Sequence, residues 1–192
     1  LAIDNIKECL SQQNEIDTNL VKFLKKKNIL ITFHPATIEK VSFKNQISNL
    51  LLVLRRYKDL GIIFTSTNID QGGNEITKMI KKFIKDNKNS KLIKSLGGKN
   101  YYRLLKKVNC VVGNSSSGIM EAPYLKTPTI NIGKRQHGRL MSSSIINTDY
   151  SFQSINFAIK KILNSKKSLK YKNYYGQGES AEKINRIFSQ II

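Results

Sequence analysis

The fold is decided by residues 111–123, which read Val-Val-Gly-Asn-Ser-Ser-Ser-Gly-Ile-Met-Glu-Ala-Pro. An apolar strand runs into small polar residues and then into the predicted start of a helix. Small side chains let a ligand approach the backbone, and the first amides of a helix lack partners within it and attract anions. The segment therefore predicts a phosphate site, with Glu121 placed one turn later to accept hydrogen bonds from sugar hydroxyls. The alternative is an ordinary turn whose serines cap a helix.

Short apolar runs alternate with amphipathic stretches along the whole chain. Apolar residues share helix faces over 43–54, 76–83 and 152–162, and further helices are predicted over 16–27 and 179–192. This alternation predicts βαβ units and one α/β domain over residues 1–192, a Rossmann-like parallel sheet with helices on both faces. The strands, mostly β-branched and apolar on both sides, are predicted at 29–33, 62–65, 91–94, 110–112 and 129–132.

The two edges of this predicted sheet differ in chemistry. The segments that follow the strands are rich in glycine, serine, histidine and arginine, whereas those that precede them are bland linkers. Ligands of open parallel sheets collect beyond the carboxyl ends of the strands. A site is therefore predicted at the edge formed by residues 34–37, 66–73, 95–98, 113–118 and 133–139.

The formal net charge is +20, from 33 Lys and Arg against 13 Asp and Glu. A balance of this sign raises an alternative from another class, a basic module that binds nucleic acid or an anionic surface. Most of the positive charge is scattered lysine, however, and arginine, the better phosphate reader, is scarce. The densest lysine clusters, at 25–27, 160–161 and 166–167, lie near predicted helix ends, so nucleic-acid binding is not expected.

The remaining composition indicates a soluble cytoplasmic protein. The two cysteines, Cys9 and Cys110, have no metal-binding spacing, and neither a metal nor a cofactor is predicted. The longest apolar run, 50–54, stops at two arginines, so no membrane span is expected, and the start of the chain has no signal-peptide pattern. Because the sequence begins at Leu1 without Met, we interpret it as a piece of a longer protein.

A set of motifs from residue 28 onward resembles a known family. Its order and spacing are similar to those of the carboxyl-terminal half of the hydrolysing UDP-N-acetylglucosamine 2-epimerases of sialic-acid and related nonulosonic-acid biosynthesis. The Asn-Ser-Ser form with Arg-Gln resembles the hydrolysing branch more than the non-hydrolysing one. The motifs are Thr-Phe-His-Pro at 32–35, Thr-Asn-Ile-Asp at 67–70, residues 113–118 with 121–123, residues 128–133 with 135–136 and 138–139, and Tyr-Gly-Gln-Gly at 175–178.

The resemblance implies one half of a two-domain glycosyltransferase-B architecture, with the amino-terminal domain absent and a UDP-sugar bound between the halves. The full enzyme would convert UDP-N-acetylglucosamine, or a related UDP-diacetamido sugar, to the free 2-epimeric sugar of the N-acetylmannosamine type plus UDP. It would be a homo-oligomer, and this chain alone would be inactive. The carboxylates that move protons in the family lie largely on the absent half. No pair of carboxylates is clearly placed to move protons at the predicted edge of this chain, since Glu121 would bind the ribose and Asp70 lies in a glycine-rich turn.

The same resemblance implies a role for each candidate site residue. Ser115 and Ser116 would hold the diphosphate, with Ser117 secondary, and His34 and Asn68 would line the cleft, His34 being a candidate catalytic assistant. The other roles are ribose binding by Glu121, nucleotide binding by Arg135 and uracil binding by the backbone of Leu96.

Other interpretations stay open at this point. The chain could be the donor-binding half of a UDP-sugar glycosyltransferase of the same architecture. His34 could merely end a strand, Arg135 could be a solvated loop charge, and Asn68 and Asp70 could only shape an Asx turn.

Overall fold

The computed structural model describes residues 2–11, 16–68, 70–165 and 169–191. These residues contain a six-stranded sheet in the order β3-β2-β1-β4-β5-β6, in which every neighbouring pair is parallel. The predicted α/β class with a parallel sheet is confirmed. The strands are β1 (Lys27–Thr32), β2 (Leu60–Thr65), β3 (Ser90–Ile93), β4 (Cys110–Gly113), β5 (Thr129–Ile132) and β6 (Ile145–Thr148).

Helices cover both faces of the sheet because successive strand residues point to opposite sides. The helices are α1 (Ala2–Ser11), α2 (Thr18–Phe23), α3 (Phe43–Leu54), α4 (Gly73–Asp86), α5 (Gly97–Lys107), α6 (Ser117–Met120), α7 (Phe152–Asn164) and α8 (Ser180–Phe188). Ile29 and Ile31 of β1 belong to the core cluster under α3, α4 and α7, whereas Leu30 between them belongs to the cluster under α1, α2 and α5.

Three elements, α1, α5 and β6, were not predicted from the sequence. Helix α1 packs against α5 and buries Ile3 and Ile6, so each of these two short amphipathic helices is stabilised by the other. Strand β6 lies at the edge of the sheet and pairs only with β5, and its mixed burial gives a weak strand signal.

The helix predicted over 16–27 is shorter than expected. It begins after Asp17, whose carboxylate accepts hydrogen bonds from the Asn19 and Leu20 amides, and it ends at Phe23. The Asn28 side chain then bonds to both the N–H and the C=O of Lys25, which turns the chain into β1. The last helix is present as α8, with its apolar residues exposed. Leu1, Ile69, Lys166, Lys167 and Ile192, all named in the sequence predictions, lie outside the described residues.

The sheet has a topological switch point between β1 and β4. From this pair the chain builds β2 and β3 on one side and β5 and β6 on the other. Ligands of such sheets bind in the crevice beyond the carboxyl ends of the two central strands. The loops after Thr32 and Gly113, which face each other in the β1–β4 register, therefore define the expected position of a site. Within the described ranges no helix is long and apolar enough to cross a bilayer.

Glycine is required at residue 113, at the end of β4, because the backbone of β1 lies very close to it there. Replacing Gly113 tests this close approach of β4 to β1. Its φ is +136°, and a Cβ there would lie 2.1 Å from the Thr32 carbonyl oxygen. We expect Gly113→Ala to lower the free energy of unfolding by about 3 kcal/mol, because strain and a backbone clash act together. Urea denaturation measures the loss.

Gly97→Ala is the matched control. Gly97 also has a positive φ, +63°, but nothing lies within 4 Å of the added Cβ. This variant should lose only about 1 kcal/mol, the cost of the left-handed backbone alone. Equal losses in the two variants would contradict the role of the Thr32 contact.

Candidate functional site

One buried amide side chain joins the loops after β1 and β4. Asn114, fully buried at the end of β4, accepts a hydrogen bond from the His34 N–H through Oδ1 at 2.8 Å. Its Nδ2 donates to the His34 carbonyl oxygen, also at 2.8 Å. The loop after β1 is therefore fixed to the loop after β4 through backbone groups, and this contact lies at the topological switch point.

The loop after β5 is attached to the same residue. The backbone carbonyl of Asn114 accepts hydrogen bonds from Nη1 of Arg135 at 3.1 Å and from Nε2 of Gln136 at 2.8 Å. Arg135 uses one of its five N–H donors in this contact, so most of the guanidinium fork stays available. Arg135 is thus held at the crevice, and the interpretation as a freely solvated loop charge is wrong.

The serine loop presents unpaired donors to the crevice. Among the described residues, none accepts a hydrogen bond from the backbone N–H of Ser115 or Ser116. Both residues are partly exposed, so a ligand can reach these amides and the Ser116 hydroxyl. The hydroxyl of Ser117 instead bonds to the Tyr101 hydroxyl at 2.5 Å.

The helix after this loop is shorter than predicted. Helix α6 is a single turn, Ser117–Met120, and Glu121 lies at its carboxyl-terminal cap and not inside a longer helix. A helix dipole grows with the number of aligned peptides, so its contribution to anion binding here is small. The case for an anion site depends on the unpaired amides and on Arg135.

Ser116 and Arg135 line a cavity of about 560 Å³ at the carboxyl edge of the sheet, and Ser115 precedes Ser116 outside its lining. Three cationic side chains, Lys134, Arg135 and Arg139, share it with Ser116. Two carboxylates, Glu39 and Asp70, also line it, and the sequence did not place Glu39 there. Glu39 was missed because it follows β1 in a segment without a recognisable motif.

His34 is held as a neutral imidazole. Its Nδ1 accepts a hydrogen bond from the Asn68 N–H at 3.1 Å, which leaves the other nitrogen, Nε2, as the donor. Burial, assisted by the positive charge of Arg135 and opposed by Asp70, lowers the pKa of His34 to about 4. At neutral pH the side chain can donate a hydrogen bond but carries no charge.

Glu121 contacts Tyr102 of α5, a helix that was not predicted from the sequence. The Tyr102 hydroxyl donates to its Oε1 at 3.5 Å, a long hydrogen bond that leaves acceptor capacity free. Burial and the Glu121 charge raise the pKa of Tyr102 to about 12, so the phenol remains a donor near neutral pH. Glu121 is partly exposed and has room for a second donor.

The remaining candidates lie at the same edge but not all in the same cavity. Asn68 contacts His34 through its backbone N–H, and its Nδ2 donates to the Asp70 carboxylate at 3.4 Å. The Asx turn of the alternative interpretation stays a prediction. Leu96 lines a separate cavity of about 330 Å³ beside the end of β3. Within the described ranges no group of three or more His, Cys, Asp or Glu side chains could hold a metal ion.

Comparisons with known proteins agree with this geometry. The S. aureus MnaA–UDP co-structure superposes on the chain with a TM-score of 0.77 at 19% identity, covering 100% of this chain and 52% of that one. The fold is accordingly a Rossmann-like domain of the glycosyltransferase-B type, as the sequence predicted. Residues 1–189 match the family model described as UDP-N-acetylglucosamine 2-epimerase, and the chain belongs to this family.

Two curated relatives specify the family further. The GDP/UDP-N,N'-diacetylbacillosamine 2-epimerase (hydrolyzing) of Campylobacter jejuni is 38% identical over 138 residues, which are 71% of this chain and 36% of the relative. The UDP-N,N'-diacetylbacillosamine 2-epimerase (hydrolyzing) of Legionella pneumophila is 32% identical over 166 residues, 86% of this chain and 43% of the relative. The chain thus spans less than half the length of these two relatives. Their names favour the epimerase interpretation over the glycosyltransferase alternative.

The lowered pKa of His34 predicts a pH dependence of stability. The unfolded chain takes up a proton at the ordinary pKa of 6.5 and the folded chain only at about 4, so stability is fully present above pH 6.5 and is lost as the pH falls towards 4. Between pH 6.5 and pH 4 the free energy of unfolding of the parent protein should fall by about 3 kcal/mol on account of His34. The variant His34→Gln should not show this fall.

Urea denaturation at several pH values measures this difference. His137→Gln is the matched control, since His137 is the other histidine of the chain and lies on the exposed part of the loop after β5. It should keep the pH dependence of the parent protein. If His34→Gln keeps it as well, the imidazole does not titrate as described.

Proposed function

We propose that this chain is the UDP-binding, carboxyl-terminal domain of a hydrolysing 2-epimerase. The observation that carries the proposal is the convergence of the unpaired Ser115 and Ser116 amides with the anchored Arg135 guanidinium at the switch point of the sheet. The substrate would be UDP-N-acetylglucosamine or a related UDP-diacetamido sugar, and the relatives named as diacetylbacillosamine 2-epimerases support the second. No cofactor is required by the proposal.

The phosphate groups would be held by two kinds of donor. Backbone amides and serine hydroxyls supply directed neutral hydrogen bonds, and Arg135 supplies a permanent charge with paired N–H groups that match two phosphate oxygens. Lys134 and Arg139 line the same cavity and add to its positive potential. This arrangement suits a leaving group that gains negative charge as its bond breaks.

The nucleoside would extend from the phosphate loop towards α5. Glu121 has free acceptor capacity for a ribose diol, and Tyr102 fixes its orientation. The Leu96 backbone at the start of α5 would contact uracil, in the cavity beside β3. These assignments follow the family resemblance residue by residue.

The proposed reaction eliminates UDP and then adds water. A base takes the proton from carbon 2, the bond from carbon 1 to the diphosphate oxygen breaks, and water adds across the resulting double bond to give the free 2-epimeric sugar. The neutral His34 would donate a hydrogen bond through Nε2, for example to a phosphate oxygen, and would not act as an imidazolium acid.

Proton transfer would depend on a further domain. Of the two carboxylates in the cavity, Glu39 accepts hydrogen bonds from the Lys134 amide and the Tyr150 hydroxyl, and Asp70 accepts one from Asn68 Nδ2 at 3.4 Å. The rest of the protein, an amino-terminal domain by the resemblance, would bring the acid and base groups and close over the sugar to exclude water. We further propose that the complete enzyme is a homo-oligomer.

Phosphate recognition predicts that UDP binds more tightly than uridine. We expect Arg135→Ala to reduce UDP affinity by about 2 kcal/mol, the range for a hydrogen bond to a charged group, and to leave uridine affinity unchanged. Isothermal titration calorimetry of both ligands measures these changes. Equal affinities of the parent protein for UDP and uridine would contradict the phosphate site.

Ribose recognition predicts that Glu121 distinguishes UDP from its 2′-deoxy analogue. Glu121→Ala should cost roughly 1 to 3 kcal/mol of UDP affinity without unfolding the domain. Comparing both ligands in both proteins gives a double-mutant cycle, in which the two losses should be coupled. Glu182→Ala on the exposed surface of α8 is the control and should change neither affinity. Independent losses would rule out the contact with the ribose.

Catalysis predicts a difference between this chain and a longer protein. The chain alone should bind UDP but release no free sugar from UDP-N-acetylglucosamine or UDP-diacetylbacillosamine, because it lacks the proposed acid–base groups. A protein that includes the upstream domain should turn over one of these substrates, and Arg135→Ala should lower its kcat/KM about 30-fold or more. Substantial turnover by the chain alone would show that the chemistry resides here.

A further inference from the structure

Glu39 connects three loops at the edge that carries the proposed site. It lies on the loop after β1, but its Oε1 accepts a hydrogen bond from the Lys134 N–H at 2.9 Å, on the loop after β5. The same oxygen accepts a hydrogen bond from the Tyr150 hydroxyl at 2.7 Å, on the loop after β6. A carboxylate that accepts two hydrogen bonds is a strong anchor, because each is assisted by its charge.

The segment that carries Glu39, and its partner Tyr150, are both bonded to helix α3. Gln46 of α3 is fully buried, and its amide bonds to the Ala36 N–H at 3.0 Å and to the carbonyl oxygens of Ala36 at 3.1 Å and Val41 at 2.9 Å. These bonds shape the segment on which Glu39 lies. Asn49, one turn later in α3, donates to the Tyr150 carbonyl oxygen at 2.8 Å. The contact with Lys134 is therefore made from a rigid base.

The approach between Glu39 and Tyr150 leaves no space for a side chain at residue 133. Gly133 has a φ of +77°, and a Cβ there would lie 2.2 Å from the Tyr150 hydroxyl oxygen and 3.0 Å from Glu39 Oε1. Burial and the contact with Glu39 raise the pKa of Tyr150, so its hydroxyl stays protonated and continues to donate. The loop after β5 thus starts in one fixed conformation.

Arg135 is the residue that follows this fixed start. Its backbone is held on one side through the Lys134 amide, and its guanidinium is held on the other side by the Asn114 carbonyl oxygen. We infer that Glu39, with Tyr150, is a positioning residue for Arg135. It fixes the backbone from which the guanidinium reaches the phosphate site. This inference rests on the proposed function, since it assigns Glu39 a role in anion recognition beyond its role in the fold.

The charge of Glu39 allows a positioning role to be distinguished from the absence of such a role and from a merely structural role. A carboxylate in the lining of an anion site repels the ligand, so removing it would raise UDP affinity if Glu39 had no positioning role. A positioning role predicts the opposite, because a small displacement of Arg135 weakens its directed hydrogen bonds. A merely structural role predicts lower stability with an unchanged preference for UDP over uridine.

Titration calorimetry with UDP and with uridine tests the inference on this chain. Glu39→Ala should lower UDP affinity about tenfold and leave uridine affinity unchanged. Glu39→Gln, whose side-chain oxygen can still accept from Lys134 and Tyr150, should retain most of the UDP affinity. Tyr150→Phe, which removes one of the two donors and keeps the ring, should give a smaller loss than Glu39→Ala. This conservative variant also serves if Glu39→Ala does not fold.

The same measurements in an Arg135→Ala background complete a double-mutant cycle. If Glu39 acts through Arg135, Glu39→Ala should cause no further loss of UDP affinity in that background. An unchanged preference for UDP over uridine in Glu39→Ala and Tyr150→Phe, or an undiminished loss in the Arg135→Ala background, would overturn the positioning role while leaving the phosphate site intact. Equal affinities of the parent protein for the two ligands would overturn the phosphate site, and the positioning role with it.

Discussion

The two hydrogen bonds between the Asn114 side chain and the His34 backbone constrain the whole carboxyl edge of the sheet. In a parallel sheet the strands diverge beyond their last ladder hydrogen bond, and backbone groups at a switch point lose their neighbours. An amide offers a donor and an acceptor on one planar group, so it can replace both missing partners of His34. Aspartate could not donate, and an apolar residue would leave a buried N–H and C=O unpaired at about 1 to 3 kcal/mol each.

The same principle organises the loops further from the centre. Side-chain amides and one carboxylate bond to backbone groups of neighbouring loops: Asn114 to the loop after β1, Gln136 to Asn114, Gln46 to Ala36, and Glu39 to Lys134. The Gln46 contact lies within the unit formed by β1 and α3, and the other three contacts join loops that follow different strands. The edge therefore behaves as a connected network. Arg135, which would meet a ligand, is held by this network through the Asn114 carbonyl oxygen and keeps further donors, which is the condition for a preorganised binding site.

The sequence allowed the sheet and much of its edge to be predicted, for reasons visible in particular residues. Strands such as β1 and β4 are apolar on both sides and therefore give a strong signal, whereas the half-exposed edge strand β6 and the mutually dependent helices α1 and α5 do not. Arg135 and Ser116 were expected at one edge because both follow parallel strands, and they do line one cavity. Glu39 and Gln136 could not be found in this way, because their roles depend on hydrogen bonds to residues far away in the chain. The ligand contacts assigned to Glu121 and Leu96 remain predictions.

The state of His34 shows why charge in this site cannot be inferred from residue types alone. A histidine beside an anion site is usually expected to add positive charge, but burial and the neighbouring Arg135 both disfavour its protonated form. An imidazolium would have to lose its hydration and repel the guanidinium before any ligand arrived. The fold instead separates two tasks: Arg135, Lys134 and Arg139 supply the positive charge of the cavity, and His34 supplies a directed neutral donor whose tautomer is fixed by the Asn68 amide. The electrostatic attraction for a diphosphate would therefore come from the lysine and the two arginines, while the orientation of the histidine would depend on the integrity of the loop that holds it.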